Sequence, residues 1–278
     1  MVVIKELIFE IIYLIFKVKI SRKLSCISLN GELNELGLNS EFCDKSIIIS
    51  PHSDDETLGC FKLIRNSTVN TKCLLVSGRK DRLLELLSVI KFLESNIEVI
   101  ALGYTDGSIS SEEDDIYNSI VNNLKILNVN NIFSPSLFDF HPDHRAVAKI
   151  SLRLLKDGVV KNVYFYHTNH PLNFKFLNCV VNLDLEESKL KMSSLRMFKT
   201  QRLLNFKGIC KISFLYSKCL IKGSNYNSEL YLKVDLNNLI EVENEYYNYE
   251  EEIVENEFSR SVVHPLNFYK NIFYWNNK

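Results

Sequence analysis

The chain has 278 residues, 46% of them hydrophobic, enough for one sizeable core arranged as one large domain or two small ones. Its formal net charge is −1 and its pI about 6.6, so it lacks the positive balance that long nucleic-acid backbones favour, and no nucleic-acid partner is expected. Seven cysteines are scattered, odd in number and free of any C-x-x-C pair, which argues against a disulfide framework and a cysteine zinc site and points to a reducing, cytoplasmic setting.

The chain opens with "MVVIKELIFEIIYLIFKVKISRK", hydrophobic but interrupted by Lys5, Glu6 and Glu10. Its longest uncharged run, residues 11–16, falls far short of a bilayer span, and no small-residue cleavage pattern follows. The pattern predicts an amphipathic helix with Lys17, Lys19, Arg22 and Lys23 grouped at its end, packed on the core or in peripheral contact with an inner membrane face. Residues 1–45 form this helix and a lead-in.

From residue 46 apolar runs alternate with helical patterns. "SIIIS" (46–50), "TKCLLVS" (71–77), "IEVIAL" (97–102), "NIFSPS" (131–136) and "NVYFYHT" (162–168) read as strands. Helices are expected at about 56–66, 80–95, 111–128 and 144–156. This rhythm predicts an α/β fold, a Rossmann-like and mostly parallel sheet with helices on both faces, in which ligands bind at the carboxyl ends of the strands. Further on, 179–184 and 228–236 read as strands and 185–204 as a helix. Residues 46–204 are the expected catalytic core, and 205–278 a C-terminal extension that completes or caps it. Within it, residues 241–257 hold eight glutamates and no base, a solvated helix or flexible segment with no catalytic role.

Two polar clusters follow strands. "PHSDDE" (51–56) ends the first, and "HPDHR" (141–145) lies shortly after the fourth, which places both on one edge of the sheet. A divalent metal requires converging imidazoles and carboxylates with a position left open for catalysis. His52 and Asp55, spaced i, i+3, can reach one point from a single turn, while the adjacent Asp54 must point elsewhere, toward a water on that metal. His141 and His144 repeat the i, i+3 spacing, and Pro142 suits the first turn of a helix. Either histidine can complete a two-histidine, one-carboxylate set, and the other is then a candidate acid or oxyanion stabiliser. His167, His170 and His264 lie outside both motifs. No G-x-x-x-x-G-K-[ST], G-x-G-x-x-G or G-x-S-x-G sequence occurs, so neither a phosphate cradle nor a serine nucleophile elbow is indicated.

The two clusters together resemble the paired signature of the PIG-L/LmbE-like zinc-dependent de-N-acetylases, A-H-P-D-D-E and H-x-D-H. The similarity extends to "VSGRKDRLLEL" (76–86), "LGYTDG" (102–107), "LKMSSLRMFKTQ" ending at Gln201, and "GSNYNSELY" (223–231), so it covers roughly residues 46–232. The resemblance implies that His52, Asp55 and His144 bind Zn2+ and that Asp54 is the general base; Fe2+ is the alternative metal that a two-histidine, one-carboxylate set also takes. It further implies that His141 stabilises the oxyanion or acts as acid, that Asp143 orients a histidine, and that Arg82 and Asp106 contact a sugar. The implied reaction removes the N-acetyl group from an N-acetylated sugar of the N-acetylglucosamine type. Ser53 stands where the family commonly has proline and Thr200 where it has serine, and neither change removes a reactive group. Two other readings share the residues: a non-haem Fe(II) enzyme with a facial triad, and a carbohydrate-binding relative without turnover.

Overall fold

The computed structural model describes residues 32–255, apart from 126, 128, 169–175, 202, 203, 205 and 222–226. The expected N-terminal amphipathic helix with its membrane contact, His170 and His264, and the start of the 223–231 motif lie outside the described residues. Among the described residues, no helix is long and apolar enough to cross a membrane.

Eight strands form one sheet among the described residues: β1 (Asn34–Glu35), β2 (Ser46–Ser50), β3 (Lys72–Ser77), β4 (Glu98–Tyr104), β5 (Asn131–Pro135), β6 (Asn162–Tyr166), β7 (Cys179–Asn182) and β8 (Ser228–Val234). Their order is β1-β7-β8-β6-β5-β2-β3-β4. β8 runs antiparallel to both neighbours, and every other pair is parallel. The expected mostly parallel α/β architecture is therefore present.

The helices are α1 (Ser40–Asp44), α2 (Asp55–Arg65), α3 (Lys80–Phe92), α4 (Glu113–Leu124), α5 (Pro142–Lys156), α6 (Leu185–Leu195), α7 (Phe206–Leu220) and α8 (Leu239–Glu255). They cover both faces of the sheet, which is why its inner strands are apolar throughout rather than alternating with polar residues. Ile48, Cys73 and Leu75 point into the layer built with α2, α3, α6 and α7. Ile47, Ile49, Leu74 and Val76 point into the layer of α4, α5 and α8. The acidic 241–255 stretch is part of α8; it buries Val242 and Tyr246 and pairs Glu243 and Glu250 with Lys156 and Lys149 of α5.

Several boundaries shift by a few residues from the sequence reading, and two of these shifts bear on the site. The helix expected at 144 begins at Pro142, because a proline at the first helical position has no amide to leave unpaired. The helix expected over 185–204 stops at Leu195, although no glycine or proline marks the break. Residues 199–201 form a separate 3-10 turn, which Glu85 of α3 holds by accepting from the Thr200 amide (3.0 Å) and hydroxyl (2.6 Å).

Packing of α2 on the sheet depends on Gly59. A Cβ there would overlap the ring of Tyr166 on β6, whose hydroxyl is tied to the Ile49 carbonyl at 3.1 Å and resists displacement. Gly59→Ala is expected to cost about 1–3 kcal/mol through overpacking. Urea unfolding reads this directly, and an unchanged midpoint would contradict the packing described.

Candidate metal centre

The sheet order decides where a ligand can sit. The chain runs from β2 outward to β3 and β4, then returns to the other side of β2 as β5, so β2 and β5 are neighbours whose following segments diverge. That topological switch point opens a crevice at the strands' carboxyl ends. The loop 51–54 enters it from β2 and the loop 136–141 from β5.

Three side-chain atoms meet there. His52 Nδ1 lies 3.3 Å from Asp55 Oδ2, His144 Nε2 lies 3.1 Å from the same oxygen, and the two nitrogens are 3.3 Å apart. Tetrahedral bonds of about 2.0–2.1 Å to one metal give ligand-to-ligand edges of about 3.3–3.4 Å. The donor set and its spacing therefore fit a divalent metal. The far nitrogen of each ring is held by a carboxylate: His52 Nε2 by Asp143 Oδ2 (3.0 Å), and His144 Nδ1 by Asp139 Oδ2 (2.9 Å). This backing fixes ring orientation and leaves the inner nitrogens to face each other.

His141 stands beside this triangle, with a ligand atom within 4.8 Å of those of His52 and His144. It caps α5, its Nδ1 accepting from the Asp143 amide at 3.2 Å. A neutral imidazole with Nδ1 as acceptor carries its proton on Nε2, so His141 presents an N–H donor. Burial, followed by the neighbouring histidines, lowers its pKa to about 3, which keeps the ring neutral.

Asp54 has a positive φ of 123°, a conformation that side chains with a Cβ rarely adopt. Its Oδ1 accepts from Gln201 Nε2 at 3.2 Å, which explains what the break after Leu195 achieves: the 3-10 turn delivers Gln201 to Asp54. Burial, then the charges of Asp55 and Glu56, push the Asp54 carboxyl well above the ordinary carboxylate range. Asp55 goes the other way; burial opposes its ionisation, but His144 and His52 outweigh it and hold the carboxyl low.

Glu56 points back under the loop. It accepts from the Asp54 amide (3.2 Å) and the Thr57 hydroxyl (2.8 Å) and lies 2.9 Å from Ser50 Oγ, which also donates to the His52 carbonyl at 2.6 Å. Ser50 has one proton, shared between the His52 carbonyl and Glu56. Burial raises its pKa from the ordinary 4.5 to about 6. A carboxyl raised on folding contributes stability that is complete below its unfolded pKa and is lost as pH rises through its folded one. In chelator-treated protein, wild type should therefore lose about 2 kcal/mol between pH 4.5 and 7 that Glu56→Gln retains. Urea titrations at both pH values measure the difference; parallel losses would contradict it.

Arg82 and Asp106 meet each other, Nη1 to Oδ2 at 3.0 Å, and Ser77 holds the other oxygen of Asp106. Arg82 Nε is buried with no hydrogen-bond partner among the described residues, and so is Asp143 Oδ1. Asp143 Oδ2 also accepts from the Gly107 amide at 2.7 Å, which joins the 102–107 segment to the centre. All eight candidate residues thus come from the carboxyl ends of β2, β3, β4 and β5. Asp139 and Thr168 escaped the sequence reading, because neither belongs to a spaced motif.

Residues 47–155 match a family model described as PIG-L: GlcNAc-PI de-N-acetylase. The match covers less than half of the chain and takes in both polar clusters. No curated protein matches the chain significantly. Solved structures share the fold at low identity. The A40926 pseudoaglycone deacetylase Dbv21 is 12% identical, with a TM-score of 0.55 over 69% of this chain and 98% of its own. The zinc-inhibited form of teicoplanin deacetylase Orf2 is 13% identical, with a TM-score of 0.54 over 68% and 98%. N,N'-diacetylchitobiose deacetylase from Pyrococcus horikoshii is 15% identical, with a TM-score of 0.50 over 69% and 84%. The PIG-L segment spans β2 through α5 and so contains both motifs and every candidate residue named from them.

Proposed function

We propose that the chain is a zinc-dependent hydrolase that removes the acetyl group from an N-acetylated sugar of the N-acetylglucosamine type. The observation that carries this reading is the triangle of His52 Nδ1, Asp55 Oδ2 and His144 Nε2, with edges of 3.1 to 3.3 Å, beside the buried and separately directed Asp54. The PIG-L match and the deacetylases sharing the fold support it.

In this reading His52, Asp55 and His144 hold the metal. When bound, it supplies a Lewis acid that polarises the amide carbonyl and brings the pKa of a water to about 7, as in well-studied zinc sites. Asp54 would accept the proton of the attacking water, favoured as a base by its raised pKa and oriented by Gln201. His141, neutral and with Nε2–H as donor, stabilises the oxyanion that develops on the amide. Asp143 keeps His52 in register. As the C–N bond breaks, the proton taken by Asp54 passes to the leaving nitrogen, giving an amine and acetate. Arg82 and Asp106 border the same crevice and offer a guanidinium and a carboxylate to sugar hydroxyls.

The test supplies the purified chain with N-acetylglucosamine alone and within glycolipids, glycosides and nucleotide sugars, and measures acetate and free amine together. Equal release of both, stopped by chelation and restored by zinc more than by Fe(II), is expected. A zinc-loaded chain that releases neither from any of them would overturn the reading, and oxygen uptake with Fe(II) would replace it.

A further inference from the structure

The two histidines of the triangle are backed in different ways. Asp143, behind His52, lies within the second motif, whereas Asp139, behind His144, lies in the loop between β5 and α5 outside both motifs. Asp139 is 2% exposed and draws partners from three places. Its Oδ2 accepts from His144 Nδ1 at 2.9 Å and from the hydroxyl of Thr168, beyond the end of β6, at 2.9 Å. Its Oδ1 accepts from the backbone amide of His141 at 2.8 Å. The guanidinium of Arg145 donates to the carbonyls of Asp139 (3.1 Å) and Phe140 (2.9 Å) and so clamps the loop that carries the carboxylate.

We propose that Asp139, with Thr168, is the positioning pair that makes His144 a metal ligand; this rests on the metal-site reading above. A neutral imidazole has one N–H and one lone pair. An ionised carboxylate only accepts, so Asp139 requires the proton on Nδ1 and leaves the Nε2 lone pair directed at His52 Nδ1 and Asp55 Oδ2. Without it, Nε2 is free to hold the proton and the ring to rotate, and the triangle loses a corner. Thr168 fixes which way the carboxylate faces, because its hydroxyl must donate to an acceptor-only group. The same carboxylate holds the His141 amide, so one side chain sets both the ring of His144 and the turn that presents His141. Metal affinity thereby depends on β6, a strand that supplies no candidate ligand.

Zinc affinity of the chelator-stripped full chain, measured by competition with a chromophoric chelator, tests this without relying on turnover. Asp139→Ala is expected to weaken zinc binding by about 10–100-fold, the usual effect of losing a partner behind a ligand histidine. Asp139→Asn should fall between it and wild type, because an amide oxygen accepts more weakly. Thr168→Val should lose several-fold and Thr168→Ser should regain it, a rescue that a general packing role does not give. Far-UV circular dichroism checks that each stripped variant is folded; should Asp139→Ala fail that check, the Asp139→Asn and Thr168 series decides. Wild-type zinc affinity in folded Asp139→Asn and Thr168→Val would overturn the proposal and leave the metal-site reading standing. Failure of wild type itself to bind zinc would overturn both.

Discussion

Asp54→Asn is expected to lower kcat by about 10²–10⁴-fold, the contribution of a positioned general base, while zinc per chain stays at the wild-type level. The substitution is nearly isosteric. Asparagine has the same branching at Cβ and Cγ as the aspartate that already holds φ 123° here, and its side-chain oxygen can still accept from Gln201, so the loop and the three converging atoms keep their places. What disappears is a carboxylate that can take a proton, one whose pKa burial and two neighbouring acids push up. Initial rates of amine release alongside elemental analysis separate the two effects. Turnover within tenfold of wild type, or zinc lost in parallel with turnover, would remove Asp54 from the role of base.

Glu229→Ala is expected to destabilise the fold by about 3–5 kcal/mol, the cost of leaving a buried charge without its partner. Lys191 Nζ lies 2.6 Å from Glu229 Oε1, and the two side chains are 10% and 1% exposed. The carboxylate has a second task. Helix α2 is interrupted at Cys60 (φ −132°, ψ 29°), and Glu229 accepts from the amides of Phe61 (2.8 Å) and Lys62 (3.1 Å) just beyond the break. It thus caps the second half of α2 from β8. Lys191→Met should cost less, because Glu229 keeps both amides and the Tyr231 hydroxyl at 3.3 Å. Urea unfolding of both variants gives the ranking, and a loss below 1 kcal/mol for Glu229→Ala would show that the pair and the cap are not coupled to the core in this way.

How much of this was legible in the sequence depends on how local the signal is. The strands at 46–50 and 131–135 were readable because both faces of an inner strand are apolar, and each run ends at a polar cluster. The two polar clusters, each just beyond a strand, place six of the eight candidate residues at one edge of the sheet. Spacing could not choose between His141 and His144. That distinction arises from what each ring's Nδ1 meets: a backbone amide in one case and the Asp139 carboxylate in the other. Asp139 and Thr168 carry no signature, since their partners lie on different elements and the pairing exists only once β5 and β6 are adjacent. The end of α6 at Leu195 was missed for a related reason: no residue there opposes helix, and the chain turns because Glu85 and Asp54, distant in sequence, hold Thr200 and Gln201. The insertion of β8 between β7 and β6 likewise depends on pairings that no local pattern encodes.

The central claim is that His52, Asp55 and His144 converge on one metal ion. Elemental analysis of protein purified without chelators tests it most directly, for wild type beside Asp55→Ala and His144→Ala. The account predicts about one zinc per wild-type chain and almost none in either variant, each remaining folded. Wild type that holds no metal after added zinc, or variants that retain it, would contradict the account.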